Sequence, residues 1–438
     1  MQKLCSTVLV LVLSVGLCFG QEASNRVLFF PGRQSLVLNT YRDVQVVDKN
    51  KVVVSGLPGD VDPQTIQIHD LDCLYWSYRF DAAKKDQLLQ KYIGSTISVL
   101  VNGRFEDVEL VALDSSSSST PMMMVRLGDQ ILSIGVDVPI RFPRMEGNTY
   151  SPTVTIALPW LSKDRIPVTL SYFVPSLTSE IQYRIILDEK YSQVELQPYV
   201  LINNNSTLPF MGMTVEVQVG DPHFLSKSSR DPMMLRSMAV ASAEPSAQDD
   251  YFLFRLTDKA DLKQGGMLAL PLFKPKLIKC QKLYRFYPEN SFLSKDKTGY
   301  AESILVFANT TGFPLPSGKA MLFSKQQVFL GEQFLASTSR NQDREIPYGK
   351  ALDITGRKTQ VDSKTVGKET TESYSITMSN YKAETVVVEV VDSVPADAEI
   401  LSSSQPYDRV ASTQIRSKLT VNPGQRTVFQ YSLKRSRL

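Results

Sequence analysis

The chain has 438 residues, of which 42% are hydrophobic and 21% are charged, and its 48 Lys and Arg against 45 Asp and Glu give a formal net charge of +3. This hydrophobic share is enough to bury a core and argues against wholesale disorder. The near-zero net charge lacks the basic excess of nucleic-acid binders, so we expect no nucleic-acid partner.

The first 20 residues are predicted to be a secretory signal peptide. Lys3 precedes an apolar run from Val8 to Leu17, and Cys18-Phe19-Gly20 places small residues where a signal peptidase cleaves. The run is too short for the alternative, a membrane anchor, which needs about 20 apolar residues. We therefore expect a secreted, extracellular protein with no membrane span that begins near Gln21.

The chain after the signal peptide is dominated by alternating polar and apolar residues, the period of β-strands. The clearest segments are Asp43–Val46, Lys51–Val54, Thr65–Ile68, Val168–Tyr172, Thr214–Val219 and Thr385–Val391. Short strands with turn signals between them favour sandwiches or barrels over βαβ units. One short helix is also predicted, with Asp81 as its N-cap, an apolar face on Leu88, Leu89, Tyr92 and Ile93, and Gly94 as its stop.

Consecutive hairpin patterns between residues 95 and 143 predict a small closed β-barrel inserted into the chain. Asn102-Gly103 separates two apolar runs, which is a strong hairpin signal. A segment rich in Ser, Ala, Asp and Pro at 226–250 predicts a linker or mobile loop.

The predicted fold is therefore an all-β, multi-domain β-sandwich with an inserted small β-barrel and one short helix. Its predicted parts are a signal peptide at 1–20, an N-terminal β region with the helix at 21–94, the barrel at 95–143, the first sandwich part at 144–225, the linker at 226–250 and the second sandwich part at 251–438.

Two of the four cysteines, Cys73 and Cys280, remain after the signal peptide is removed. In an oxidising compartment they can form one disulfide bond. The alternative is two separate buried thiols, because nothing in the sequence places them within bonding distance.

Several motifs together resemble one family of uncharacterised all-β proteins, which is related to the C-terminal half of mucoidy inhibitor A. These motifs are Leu57-Pro58 with Asp62-Pro63-Gln64-Thr65-Ile66, Tyr78-Arg79-Phe80-Asp81, Leu88–Gly94, Leu315–Lys319, Phe329–Glu332, Gly349–Asp353 and Asn380-Tyr381-Lys382. The resemblance covers most of the mature chain and implies a β-sandwich. It implies no activity, and the chain has Ser179 where the family often has a Trp.

The residues give no reason to expect catalysis, a cofactor or a metal. His69-Asp70-Leu71-Asp72-Cys73 is the densest group of possible ligands, but alternate strand residues face opposite ways, so a strand end or turn explains it better. His223 follows a strand and reads as a loop residue. A nucleophile elbow and a phosphate-binding loop are both missing from the sequence.

Asparagines in two segments are candidates for N-glycosylation. Asn204 and Asn205 form overlapping acceptor motifs, and Asn309 forms a third, and all three are expected in exposed turns. Six aromatic residues are candidates for a glycan-binding platform, with core packing as the alternative. They are Trp76, Trp160, Tyr75, Tyr78, Tyr172 and Tyr183.

The sequence thus predicts a secreted, non-enzymatic β-rich glycoprotein that is a structural or interaction component of an extracellular matrix. Its expected partners are other extracellular or matrix proteins or glycans, and its oligomeric state stays open. The alternatives are an extracellular carbohydrate- or small-molecule-binding module and a hydrolase whose site the sequence does not reveal.

Overall fold

The fold was analysed in a computed structural model. The described residues are 23–81, 85–101, 103–114, 122–143, 151–160, 163–220, 222, 246–248, 251–288 and 296–436. The predicted signal peptide, His223 and all but residues 246–248 of the predicted linker lie outside them.

Strands make up most of the described residues, which confirms the prediction of an all-β chain. The first fourteen strands are β1 Ala23–Phe29, β2 Gln34–Val47, β3 Lys51–Ser55, β4 Gln67–His69, β5 Tyr75–Arg79, β6 Thr96–Val101, β7 Arg104–Asp114, β8 Met122–Leu127, β9 Gln130–Gly135, β10 Ile140–Arg141, β11 Thr153–Ala157, β12 Arg165–Leu187, β13 Gln193–Asn204 and β14 Phe210–Val219. The other fourteen are β15 Ser246–Gln248, β16 Tyr251–Leu262, β17 Met267–Pro271, β18 Lys276–Phe286, β19 Asp296–Ala308, β20 Gly318–Ser324, β21 Phe329–Leu335, β22 Asp343–Val366, β23 Glu369–Asn380, β24 Val386–Ser393, β25 Glu399–Ser403, β26 Asp408–Ala411, β27 Gln414–Val421 and β28 Arg426–Ser436. The helical elements are α1 Lys85–Lys91 and a 3-10 helix at Pro63–Thr65.

The long strand β12 organises the N-terminal half of the molecule. Its first part pairs with β2 and its second part with β13, and the register shifts between Val174 and Thr178. Alternate residues of β12 and β13 are buried along nearly the whole of both strands, so one row of each faces the core. Strands β14 and β16, on either side of the predicted linker, also pair with each other.

The region predicted as a closed barrel is a separate five-stranded sheet with its own core. The sheet order is β10-β6-β7-β8-β9, and no pairing joins the end strands β9 and β10 within the described residues. Helix α1 covers one side of this core through Leu89 and through Tyr92, the residue after its end, both of which are fully buried. Ile93, predicted on the same face, is 46% exposed.

Three asparagines, which we call the Asn corners, close three β-corners in the same way. Asn204 ends β13, Asn309 follows β19 and Asn380 ends β23, and each is at most 1% exposed. The side-chain nitrogen of each asparagine donates to the carbonyl oxygen four residues later, at 2.7 to 2.8 Å. It also donates to at least one carbonyl oxygen in or next to a turn between two other strands. The side-chain oxygen accepts the backbone N–H two residues later.

The turns that receive these side chains are also equivalent. Each follows a strand end and holds one residue with φ between 61° and 67°, namely Gly265, Asn341 and Gly424. In each case the strand before the Asn corner pairs with the strand after the turn, in the pairs β13–β17, β19–β22 and β23–β28. The chain therefore uses one corner design three times.

The C-terminal sandwich is built from the strands β22 to β28 and the end of β18. Strands β22 and β23 form a long hairpin, β23 pairs with β28, and β24 pairs with β27 around a second core. Strand β24 confirms the predicted buried strand at Thr385–Val391, because six of its eight residues are buried. Gly299 and Gly356 are opposite each other, and both leave room for the ring of Phe286.

Candidate interaction surface

The strand β5, which we call the β5 edge, lies at the border of its sheet. Its neighbour is β11, which pairs with β3 on the other side, and β5 has no second neighbour among the described residues. All of its residues except Tyr78 are exposed, and Tyr75 reaches 60% and Trp76 37%. Exposed edge strands usually carry Lys, Pro or a bulge that blocks pairing with another chain, and the sequence Tyr-Trp-Ser-Tyr-Arg has neither Lys nor Pro.

A groove runs beside the β5 edge. It is lined by Ile66–Ile68 on one side and Cys73–Trp76 on the other, and it has a volume of about 710 Å³. The first side includes β4, which pairs with β12, and the second includes β5, which pairs with β11. The groove therefore separates the borders of two different sheets.

Hydrogen bonds around the 3-10 helix fix the β4 side of the groove. Asp62 caps this helix by accepting the backbone N–H of Gln64, and the Thr65 hydroxyl donates to the Asp62 carbonyl and accepts the Phe173 N–H. His69 Nε2 lies 2.8 Å from the Ser171 hydroxyl on β12. Much of the Asp-Pro-Gln-Thr motif thus anchors β4 to the sandwich.

The sequence His69–Cys73 forms the end of β4 and a turn, as predicted. Asp70 has a φ of 58°, a left-handed conformation that Asp tolerates better than most residues. No group of three or more possible ligands that could hold a metal ion occurs in the described parts of the chain.

The six predicted platform aromatics divide between the surface and the core. Trp160, three residues after β11, is 69% exposed and lies 5.9 Å from the Nζ of Lys49, whereas Tyr172 and Tyr183 are at most 1% exposed. Tyr172 and Tyr183 occupy core-facing positions of β12, and the Tyr183 hydroxyl donates to the Pro316 carbonyl at 2.6 Å. A platform that includes these two residues is therefore wrong.

The predicted disulfide between Cys73 and Cys280 is not formed, because both cysteines are free thiols. Cys73 lines the groove, whereas Cys280 lies in β18, where its thiol donates to the Tyr191 carbonyl at 3.5 Å. Burial raises the pKa of Cys280 to about 11, and burial together with Asp72 raises the pKa of Cys73. Both side chains are therefore neutral thiols at neutral pH.

Two of the three predicted glycosylation residues are buried, contrary to the expectation of exposed turns. Asn204 and Asn309 are 0% exposed, and their side-chain nitrogens are used in the Asn corners. The acceptor motif arises there for a structural reason, since the hydroxyls of Ser206 and Thr311 donate to the asparagine oxygens. Only Asn205 has an exposed side chain, and its glycosylation stays a prediction.

A lysine that the sequence analysis missed lies at the junction of the two large cores. Cys280, Lys282 and Tyr284 alternate along β18 and share one face. The Lys282 Nζ lies 4.2 Å from the ring centroid of Tyr191, 5.0 Å from that of Tyr284 and 6.0 Å from that of Tyr348. The Lys282 cluster is the name we give to five residues, namely Cys280, Lys282, Tyr284, Tyr191 and Tyr348.

Burial and the charge of Lys382 lower the pKa of Lys282 to about 8, although Glu384 opposes the shift. The ring faces also favour the charged amine. Within the described residues no carboxylate oxygen lies within 4.0 Å of the Lys282 Nζ. The sequence signal for this buried lysine is its position in β18, two residues after Cys280 and two residues before Tyr284.

Asp392 and Glu389 are buried carboxylates of the C-terminal sandwich, and each is paired with a basic side chain. Asp392 is 1% exposed, lies 2.8 Å from the Lys358 amine and accepts the Tyr431 hydroxyl at 2.6 Å. Glu389 is 4% exposed and accepts two hydrogen bonds from Arg285, at 2.7 and 3.0 Å. These groups neutralise one another, which is the arrangement of structural ion pairs.

No protein-family model matches the chain, and a search of the curated proteins found no match. The resemblance to the mucoidy inhibitor family therefore stays a prediction. No helix in the described parts of the chain is long and apolar enough to cross a membrane.

Proposed function

We propose that the protein is a secreted, non-enzymatic component of an extracellular matrix that binds extended segments of other extracellular proteins along the β5 edge. The observation that carries this proposal is an aromatic edge strand beside a groove, with a second neighbouring strand absent among the described residues. An extended peptide can add to such an edge by main-chain hydrogen bonds, while neighbouring side-chain sites select its sequence.

The composition of the β5 edge supports binding. Tyr and Trp are enriched in protein interfaces because each buries a large area while fixing few rotatable bonds. Trp76 points toward the same side of its sheet as its buried neighbour Ile156, so it borders the groove. Tyr75 points to the opposite, outer side, and an added strand would contact both.

The non-enzymatic part of the proposal rests on the titratable groups. Asp392 and Glu389 have basic partners, and both thiols are held in their neutral form. The alternative is a hydrolase with an unrecognised site. A screen with ester, peptide, phosphate and glycoside substrates tests it. Saturable turnover by the purified mature protein would overturn the non-enzymatic proposal.

A second candidate function, glycan binding, is favoured by two separately exposed aromatic residues, Tyr75 and Trp160. On the outer side of the sheet Tyr75 is opposite Ala157, and Ala157 is opposite Lys51. A sugar ring can stack on such aromatic faces while polar neighbours bind its hydroxyls.

The two tryptophans of the chain provide a matched pair of variants for these candidates. Binding of the purified mature protein to isolated matrix proteins and to matrix glycans is measured by interferometry. We expect Trp76→Ser to weaken protein binding about tenfold or more, and Trp160→Ser to leave it unchanged. Loss of glycan binding in Trp160→Ser, with protein binding unaffected by Trp76→Ser, would favour the glycan candidate.

Secretion and glycosylation are proposed on the sequence pattern alone, and mass spectrometry of the exported protein tests both. We expect an N-terminus at or near Gln21 and, in a eukaryotic secretory pathway, glycan on Asn205 but not on Asn204 or Asn309. An exported chain that retains Met1 would contradict the signal peptide.

A further inference from the structure

We propose that the β5 edge pairs with the β5 edge of a second copy of this chain, antiparallel and centred on Ser77. This inference goes beyond the proposed function, because it names a second copy of this chain, and not another matrix protein, as the occupant of the same edge.

The sequence of β5 is complementary to itself in this register. Antiparallel pairing about Ser77 places Tyr75 of one copy opposite Arg79 of the other, and Trp76 opposite Tyr78. Tyr75 and Arg79 lie on the same side of the strand, so the guanidinium can stack on the ring. Trp76 and Tyr78 share the other side and form an aromatic cross-strand pair. Each contact occurs twice because the axis is twofold.

Charge also selects the antiparallel direction. Arg79 is the single charged residue of β5, and its side chain is 56% exposed beside Asp81. Parallel pairing in register would place the two Arg79 residues about 4.8 Å apart, whereas antiparallel pairing about Ser77 separates them by about 14 Å. The parallel arrangement brings like charges together, which destabilises a cross-strand pair.

The rest of the sheet can accept this addition. In one copy β5 continues through β11 and β3 to β2. Pairing two β5 edges therefore joins these four strands of one copy to the same four strands of the other in a continuous run of eight strands. It also removes the exposed edge from both copies.

Sedimentation equilibrium of the mature protein tests the inference, with Ser77→Lys and the matched control Ser55→Lys. Ser55 is exposed in the same sheet but lies on β3, two strands away from the edge. We expect the wild type and Ser55→Lys to sediment with twice the chain mass. The dimer of the Ser77→Lys variant should dissociate at a protein concentration about tenfold higher than the wild-type dimer does, because the twofold axis brings two lysines together. A dimer that Ser77→Lys leaves intact would overturn the inference.

A cross-linking variant tests the register without relying on loss of stability. In a Cys73→Ser background, Ser77→Cys is compared with Ser55→Cys under mild oxidation. Directly opposite residues of antiparallel strands have Cα atoms about 4.5 to 5.5 Å apart, which suits a disulfide bond. We expect covalent dimers of Ser77→Cys and none of Ser55→Cys, whereas equal yields would overturn the register.

These results separate the inference from the proposed function. A chain that stays monomeric at all concentrations, while Trp76→Ser still abolishes binding to another matrix protein, would overturn self-pairing and leave the proposed function standing. A dimeric chain with no affinity for matrix proteins would overturn the wider function and support self-pairing alone.

Discussion

The β5 edge and the interior of the C-terminal sandwich differ in whether their polar and aromatic groups are buried and paired. In the C-terminal sandwich, Asp392 has a lysine and a tyrosine as partners, and Tyr431 is buried against it. At the β5 edge, two large aromatic side chains face solvent and the backbone has one neighbouring strand among the described residues. The first region satisfies its groups internally, whereas the second leaves them available to another molecule.

This difference separates stability from function within one fold. Buried polar networks resist change because each partner that is removed leaves a buried group unpaired. Exposed edges contribute little to stability, so a binding surface can be built there at low cost to the fold. We therefore expect substitutions in the C-terminal sandwich to change unfolding, and substitutions in β5 to change association.

The largest effect is expected for Asp392→Ala. Its removal leaves the Lys358 amine buried without its carboxylate and the Tyr431 hydroxyl without its acceptor, at a cost of about 3 to 5 kcal/mol. Urea unfolding measures the change, and Asp408→Ala is the control. Asp408 is 71% exposed and lies 3.5 Å from Arg416, so its loss should cost less than about 1 kcal/mol. Equal losses would contradict the distinction between interior and surface pairs.

A smaller loss is expected when an Asn corner is altered. Asn309→Asp replaces the nitrogen that donates to the carbonyls of Phe313, Thr338 and Ser339 with an oxygen that repels them. We expect a loss of roughly 2 to 4 kcal/mol, because buried carbonyls lose their donor. Asn205→Asp is the matched control, and its exposed side chain should change unfolding by less than about 0.5 kcal/mol. An unchanged Asn309→Asp would refute the structural role of the corner.

The Lys282 cluster predicts a dependence of stability on pH. The Lys282 pKa is about 8 in the folded protein against 10.5 without its surroundings, so between these values the unfolded chain binds more protons. The contribution of Lys282 to stability therefore rises with pH across this window. Lys282→Met lacks this titration, so its stability relative to the wild type should fall steadily from pH 8 to 10.5. A constant difference, measured by urea unfolding at each pH, would show that Lys282 keeps an ordinary pKa.

The smallest effect on stability is expected at the β5 edge itself. Tyr75 and Tyr381 are 60% and 62% exposed, so Tyr75→Ser and Tyr381→Ser should each change unfolding by less than about 0.5 kcal/mol. Their effects on association should differ, because only Tyr75 lies on the edge. Tyr75→Ser should weaken binding about tenfold, and identical binding by both variants would remove β5 from the interface.

The sequence predicts much of the local structure and less of the arrangement of the strands. Period-two patterns are local signals, and the strands predicted from them at Asp43–Val46 and Lys51–Val54 appear where expected. The disulfide and the aromatic platform depend on which strands become neighbours, which one sequence does not encode locally. The sequence also did not reveal the Asn corners, because each asparagine binds at least one carbonyl on a distant part of the chain. Asn204 and Asn309 carry a hydroxyl residue two positions later and look like glycosylation motifs, whereas Asn380 has Lys382 there and looks ordinary.

The β5 edge could be partly anticipated. Its aromatic residues were visible in the sequence as candidates, but its exposure depends on β11 being its one described neighbour. For Lys282, the sequence shows its position in a strand but not its surroundings. The three rings around its amine come from β18, β22 and the turn after β12, which the fold brings together.

Backbone hydrogen exchange of β5 tests the central claim most directly. Amide exchange is followed for residues 75–79 in the free protein and in the protein bound to its matrix partner or concentrated into its dimer. In the free monomer the β5 amides that point away from β11 should exchange fast. They should become strongly protected after association, because an added strand hydrogen-bonds to them. Exchange at β5 that stays fast while another surface gains protection would contradict the central claim.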